Sequence, residues 1–98
     1  MPQSSPVNSP LLDFARALAN EKRQQMLLDI FTDKQAHTVG HIAERIGIAP
    51  STASEHLAIL KRAGVLTAEK RAKEVYYQIN KARVAELLAL IQNWLDCC

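Results

Sequence analysis

The sequence predicts a mainly α fold of the α+β class, five helices with one two-stranded β-hairpin between the fourth and the fifth. Three observations predict it. Apolar residues recur at helical spacing in five segments, and after Gly64 the period switches to alternation over two short runs. The 98-residue chain is 48% hydrophobic, which fills one core but not two.

Residues 1–9 hold Pro2, Ser4, Ser5, Pro6 and Asn8 around a single branched apolar side chain, too little burial to offset the entropy of ordering. They are expected to form a disordered tail, leaving 10–98 as the folded domain. Ser9 and Pro10 read as an N-cap and first helical position, followed by Leu11, Phe14, Ala15 and Leu18 on one face. Asn20 can cap a second helix from Glu21 to about Phe31, with Met26, Leu27, Ile30 and Phe31 turned inward and Lys22 and Arg23 left for solvent or phosphate. Thr32 to His37 reads as a polar loop.

Thr38 then precedes Val39, Ile42, Ala43 and Ile46, and Gly47 stands where a left-handed residue ends a helix. Pro50 reopens a helix whose buried side is Ala53, Leu57 and Leu60, stopped by Gly64. Two helices joined by a short glycine-containing turn make a helix-turn-helix. Leu66 and Ala68 alternate with polar residues, as do Val75, Tyr77 and Ile79, and the charged stretch Lys70 to Glu74 makes the hairpin tip. Asn80 caps a last helix, Lys81 to about Asp96. Its stripe of Val84, Leu87, Leu88, Ile91 and Leu95, flanked by Leu90 and Trp94, is wider than one small core needs, so the surplus points to a symmetric partner.

Net charge is only +2, so the distribution of charge carries the functional argument. Ser51, Thr52, Ser54, Glu55, Lys61 and Arg62 point away from the buried side of the fourth helix. Short hydroxyls near its start suit a helix entering the major groove by its N-terminus, because small side chains let the backbone approach base edges. Lys61, Arg62, Lys70, Arg71 and Lys73 supply cations, the last three at the hairpin tip, where they can follow the DNA backbone or reach the minor groove. No nucleophile-and-base set and no phosphate-cradling glycine loop can be assembled from three glycines and three histidines, so no enzyme is expected. No run of about 18 apolar residues exists to span a bilayer, and no secretory signal opens the chain, so a cytoplasmic protein is expected.

Leu18-Ala19-Asn20-Glu21-Lys22-Arg23, Ile42-Ala43-Glu44-Arg45-Ile46-Gly47, Ser51-Thr52-Ala53-Ser54-Glu55-His56-Leu57, Leu60-Lys61-Arg62-Ala63-Gly64-Val65-Leu66 and Val75-Tyr76-Tyr77 fall in order. Across residues 11 to 95 they resemble the arsenical-resistance repressor (ArsR/SmtB) family of winged helix-turn-helix regulators. The resemblance implies a homodimer built from the first and last helices, with Leu11, Phe14, Leu18, Leu88, Ile91, Trp94 and Leu95 at its interface. It also implies binding to double-stranded operator DNA and release by an inducer. Pro50, Ser51, Ser54, Glu55 and His56 fall at its DNA-reading positions, with Arg71 and Lys73 on the wing.

Several departures from the family pattern carry consequences. Ala49 and Pro50 replace a Ser cap and a Gln, so a cap hydrogen bond worth about 1 kcal/mol is lost. Glu55 can accept from a cytosine amino group but repels phosphate. Ala72 stands where the wing commonly turns on glycine, and because a left-handed alanine costs roughly 1 to 2 kcal/mol, a turn of a different type is expected. His56 lies near the buried edge of its helix, where a packed histidine and a base contact are equal alternatives.

The family's metal-sensing cysteine pair aligns with Thr38-Val39-Gly40, so both thiolates are absent, and the last helix has no histidine for the family's other site. His37 and His41, without a thiol or carboxylate partner, read as solvated surface residues rather than zinc ligands. No cofactor is required. Cys97 and Cys98 remain as soft ligands for a metal or metalloid ion, or as a redox switch, where the last helix meets its symmetry mate. The alternatives are a regulator with no metal or redox sensing, exposed terminal thiols being the simpler reading, and a winged helix used as a protein-interaction module.

Overall fold

The computed structural model describes residues 9–97. Its elements run α1 (Ser9–Leu18), α2 (Glu21–Asp29), a 3-10 turn (Phe31–Asp33), β1 (His37–Thr38), α3 (Val39–Ile46), α4 (Pro50–Arg62), β2 (Leu66–Arg71), β3 (Glu74–Ile79) and α5 (Lys81–Cys97). The expectation of a disordered 1–9 tail lies, Ser9 apart, outside the described residues. Ser9 is already helical, with Pro10 behind it in the first turn.

The caps explain where the helices start and stop. Asn20 Oδ1 accepts from the Arg23 amide at 3.1 Å, Thr38 Oγ1 from the His41 amide at 3.2 Å, and Asn80 Oδ1 from the Arg83 amide at 3.2 Å. Each satisfies one amide that the first helical turn leaves without a partner. Ala49 makes no side-chain cap bond to α4, as its residue type requires. Beyond α4, Gly64 is left-handed (φ 86), the Val65 amide donates to Leu60 O at 2.9 Å, and the Gly64 amide donates to Lys61 O at 3.0 Å. That double closure ends the helix and turns the chain into β2. A Cβ on Gly64 would stand 2.8 Å from Arg83 Cγ, so any other residue there would strain the backbone and displace the Arg83 side chain.

The hairpin predicted by alternation is present, with Leu66 opposite Ile79 and Arg71 opposite Glu74. A third strand joins it: β1 pairs antiparallel with β3, His37 opposite Tyr77 and Thr38 opposite Tyr76, giving the order β1-β3-β2. The segment read as a polar loop therefore holds a 3-10 turn, a left-handed Lys34 (φ 62) and a short strand, and α2 ends at Asp29 rather than near Phe31. Two strand residues are too few to show a period, and their partners lie almost forty residues on.

One core joins all five helices to the root of the wing. Met26, Ile42, Ala53, Leu57, Leu60 and Leu87 are fully buried, with Phe14, Phe31 and Val65 nearly so. Truncating one such leucine to alanine costs about 2–5 kcal/mol. This core fixes α3 and α4 against α2 and leaves the outer face of α4 and the wing to solvent. Among the described residues no helix is long and apolar enough to cross a membrane.

Candidate nucleic-acid interface

Three residues, Gly47 to Ala49, separate α3 from α4. Gly47 takes the left-handed conformation (φ 82), which ends α3 and lets the chain turn into α4. Because Ala53 and Leu57 are buried at helical spacing, the opposite side of α4 must face out. Pro50, Ser51, Thr52, Ser54 and Glu55 are all exposed there. None of these side chains makes a hydrogen bond within the described residues, so three hydroxyls and one carboxylate stand ready for an outside partner. Lys61 and Arg62 are exposed as well, but at the far end of α4, about 17 Å along the axis from Pro50 at 1.5 Å per residue. There they offset the negative end of the helix dipole.

The wing carries its charge differently from the sequence expectation. Ala72 is left-handed (φ 55), so the turn uses the very conformation thought too costly for alanine. A two-residue connection between paired Arg71 and Glu74 leaves little other geometry, and the ladder of β2 and β3 offsets the strain. Arg71 is not a bare cation. Its Nη2 and Nε donate to Glu69 Oε1 at 3.0 and 3.2 Å, and its guanidinium lies 4.8 Å over the Tyr76 ring. It is thus held flat on the wing while staying half exposed to solvent, and Lys70 and Lys73 are exposed beside it.

His56 is half-buried, and its Nδ1 lies 3.1 Å from Arg23 Nη1. Burial, with help from the Arg23 and Lys22 charges, holds its imidazole below the ordinary range, against an opposite pull from Glu55. Arg23, read as free for solvent or phosphate, is committed inside the protomer: Nε donates to Ala17 O at 2.7 Å and Nη2 to Arg16 O at 3.3 Å. No spacing in the sequence announces that link, because its two ends lie 33 residues apart.

His37 is likewise not a solvated surface residue. Its Nε2 lies 2.9 Å from Asp33 Oδ2, its ring meets Phe31 edge-on, and His41 stacks on it at 5.2 Å between centroids. The carboxylate partner that the sequence reading found missing is Asp33, brought in by the 3-10 turn. A hydrogen bond from the Gln35 amide and then the His37 ring keep the Asp33 carboxyl below its usual range. Even so, among the described residues no group of three or more histidines, cysteines or carboxylates is placed to hold a metal ion.

A second surface is apolar. Leu88, Leu90, Trp94 and Leu95 of α5 are 40–63% exposed, and Leu12 of α1 is 45% exposed. Phe14, expected at a dimer face, is spent in the protomer's own core at 5% exposure. Leu11, Leu18 and Ile91 pack half-buried against that core. Leu12 is the exposed apolar residue of α1 that helical periodicity did not single out. Cys97 is exposed in the last turn of α5, and Cys98 lies outside the described residues.

Residues 18–69 match the helix-turn-helix domain family. The transcriptional activator HlyU of Vibrio cholerae is 32% identical over 80% of this chain and 70% of its own. The probable mercury resistance operon repressor of Streptomyces lividans is 32% identical over 87% of this chain and 72% of its own. Among solved structures, a homodimeric winged helix-turn-helix DNA-binding domain from Mycobacterium bovis, described as from a possible ArsR-family regulator, superposes with a TM-score of 0.71. It is 31% identical, and the match covers 98% of this chain and 91% of that one.

Proposed function

The chain belongs to the ArsR/SmtB family of winged helix-turn-helix transcriptional regulators, and on that premise we propose that it is a homodimeric, cytoplasmic repressor that binds double-stranded operator DNA. One observation carries the reading: the exposed, internally unbonded hydroxyls of Ser51, Thr52 and Ser54 lie at the start of α4, on a domain that also presents the cationic wing tip of Arg71 and Lys73. Small hydroxyls admit the helix to base edges, and the wing cations take the phosphates. Glu55 reads a cytosine amino group, and Lys61 and Arg62 meet phosphates only where the DNA bends toward the far end of α4.

Two half-sites about one helical turn apart require two copies. The exposed leucines and Trp94 of α5, with Leu12, supply the apolar face that joins them. The Mycobacterium domain, homodimeric by its description, supports that assembly.

An inducer acting at Cys97 and Cys98 completes the proposal: a soft metal or metalloid ion, or an oxidant, captured where α5 meets its mate. The exposure of Cys97 and the likeness to a mercury resistance repressor support it. A regulator without metal or redox sensing is the competing reading. A fluorescence anisotropy titration of the reduced protein on its own promoter fragment, before and after arsenite, separates them. Loss of affinity that is absent from a Cys97→Ser, Cys98→Ser double variant supports the thiol switch. Binding unmoved by arsenite or by a disulfide-forming oxidant keeps the regulator and discards the cysteines. Because HlyU is named an activator, a promoter-reporter fusion decides the sign of regulation: higher output on deletion of the gene supports a repressor, and lower output contradicts it.

A further inference from the structure

We propose that Arg23 is a positioning residue for DNA binding, fixing His56 as the tautomer that accepts at Nδ1 so that Nε2–H is presented from the recognition helix to a DNA phosphate. The inference rests on the reading of α4 as the DNA-facing helix.

The geometry forces the tautomer. A guanidinium has five donors and no acceptor, so at 3.1 Å from Arg23 Nη1 the His56 Nδ1 must be the accepting, unprotonated nitrogen. In the neutral ring the proton then sits on Nε2. Arg23 is itself immobilised: its other two bonds, at 2.7 and 3.3 Å, end on the Ala17 and Arg16 carbonyls of the last turn of α1. One side chain of α2 thereby ties the end of α1 to the middle of α4.

Nε2 points outward. His56 makes no further hydrogen bond among the described residues, yet no buried side-chain nitrogen or oxygen among them lacks a partner. Nε2 therefore reaches the surface. His56 follows Thr52 by four residues, so its outward N–H lies one helical turn from the exposed hydroxyls of the same helix. The charged groups around the ring are Arg23 and Lys22 of α2 and Glu55 of α4, and the cations together with burial favour the neutral ring that this role needs.

Two isosteric substitutions separate the two nitrogens. Asparagine at position 56 sets a carbonyl oxygen near the place of Nδ1, keeping the acceptor for Arg23 and losing the outward donor. Glutamine sets an amide near the place of Nε2, keeping a donor and losing the acceptor. His56→Asn is expected to melt with the parent yet bind the promoter fragment roughly tenfold more weakly, the loss of one hydrogen bond to a charged group. The loss is the same on unrelated DNA, with an unchanged salt slope, because no cation is removed. His56→Gln is expected to melt lower and, at a temperature where it is folded, to bind better than His56→Asn.

The steepness of the pH dependence is a second readout. Acid puts a proton on Nδ1, which breaks the Arg23 bond but adds a positive charge to a ring that still donates from Nε2, so parent affinity gains less from a pH drop from 7.5 to 5.5 than the charge alone would give. In Arg23→Met nothing is broken and the new positive charge strengthens binding. Parent-like affinity in His56→Asn, or an equally steep pH dependence in parent and Arg23→Met, would overturn the proposal. If the parent itself shows no salt-dependent affinity for DNA, the reading of α4 fails first, and this inference with it.

Discussion

Ala72 carries a positive φ of 55 that L side chains pay to adopt, roughly 1 to 2 kcal/mol. Glycine removes that strain but adds about 0.5–1 kcal/mol of chain entropy, so Ala72→Gly is expected to raise unfolding stability by about 0.5–1 kcal/mol in urea denaturation. A loss of stability would mean that the methyl group makes a contact that outweighs the strain. His56 sets an acid limb on stability. Its folded imidazole titrates below the ordinary value of 6.5, so between those two values the unfolded chain binds more protons than the folded one. The His56 contribution to stability is therefore level above about pH 6.5 and falls as pH drops through that window, and melting curves from pH 7.5 to 5 should show a shallower fall in His56→Asn. The caps Asn20 and Asn80 were legible in the sequence because capping is local chemistry. The Arg23–His56 link and the Asp33–His37 pair were not, since each depends on how distant or irregular segments meet.

Helix α4 and the wing form the unit that recognition depends on, and an intramolecular pair tempers the wing. Glu69 accepts two bonds from Arg71 and sets a carboxylate beside the guanidinium meant for phosphate. Both partners are more than half exposed, so the pair itself adds little stability. Glu69→Gln is expected to leave the melting temperature within about 2 °C and to strengthen binding to specific and random DNA alike, by about threefold at low salt. Weaker binding would show that Glu69 orients Arg71 more than it screens it. Periodicity made the helices and the hairpin legible, because each repeats its pattern over at least one full turn or several alternations. Strand β1 escaped because two residues carry no period, and the left-handed turn at Ala72 was rejected on a local cost that the ladder on both sides overrides.

At the scale of the molecule, the breadth of the apolar stripe on the last helix was the legible sign of a second surface. The structure sorts that stripe into Leu87, buried in the protomer, and Leu88, Leu90, Trp94 and Leu95, turned outward. Leu88→Glu or Leu95→Glu should keep the fold, since neither side chain is in the core, and should sediment as a monomer with operator affinity lowered at least tenfold. A variant that still sediments as a dimer would place the interface elsewhere. The residues that read bases were legible only as a face of α4. Which of them touch which base depends on a partner that the chain's own packing does not specify.

Salt-dependent anisotropy of the parent protein on its promoter fragment, against a scrambled fragment of equal length, decides whether α4 and the wing read DNA sequence. A DNA-reading winged helix should show specific dissociation constants in the range of about 10⁻⁸ M or tighter, a preference of at least about 10³, and affinity that falls log-linearly with salt. In the same titration Arg71→Ala weakens both fragments, while Ser54→Ala narrows the gap between them. Equal, weak and salt-insensitive binding to both fragments would contradict a DNA-reading winged helix.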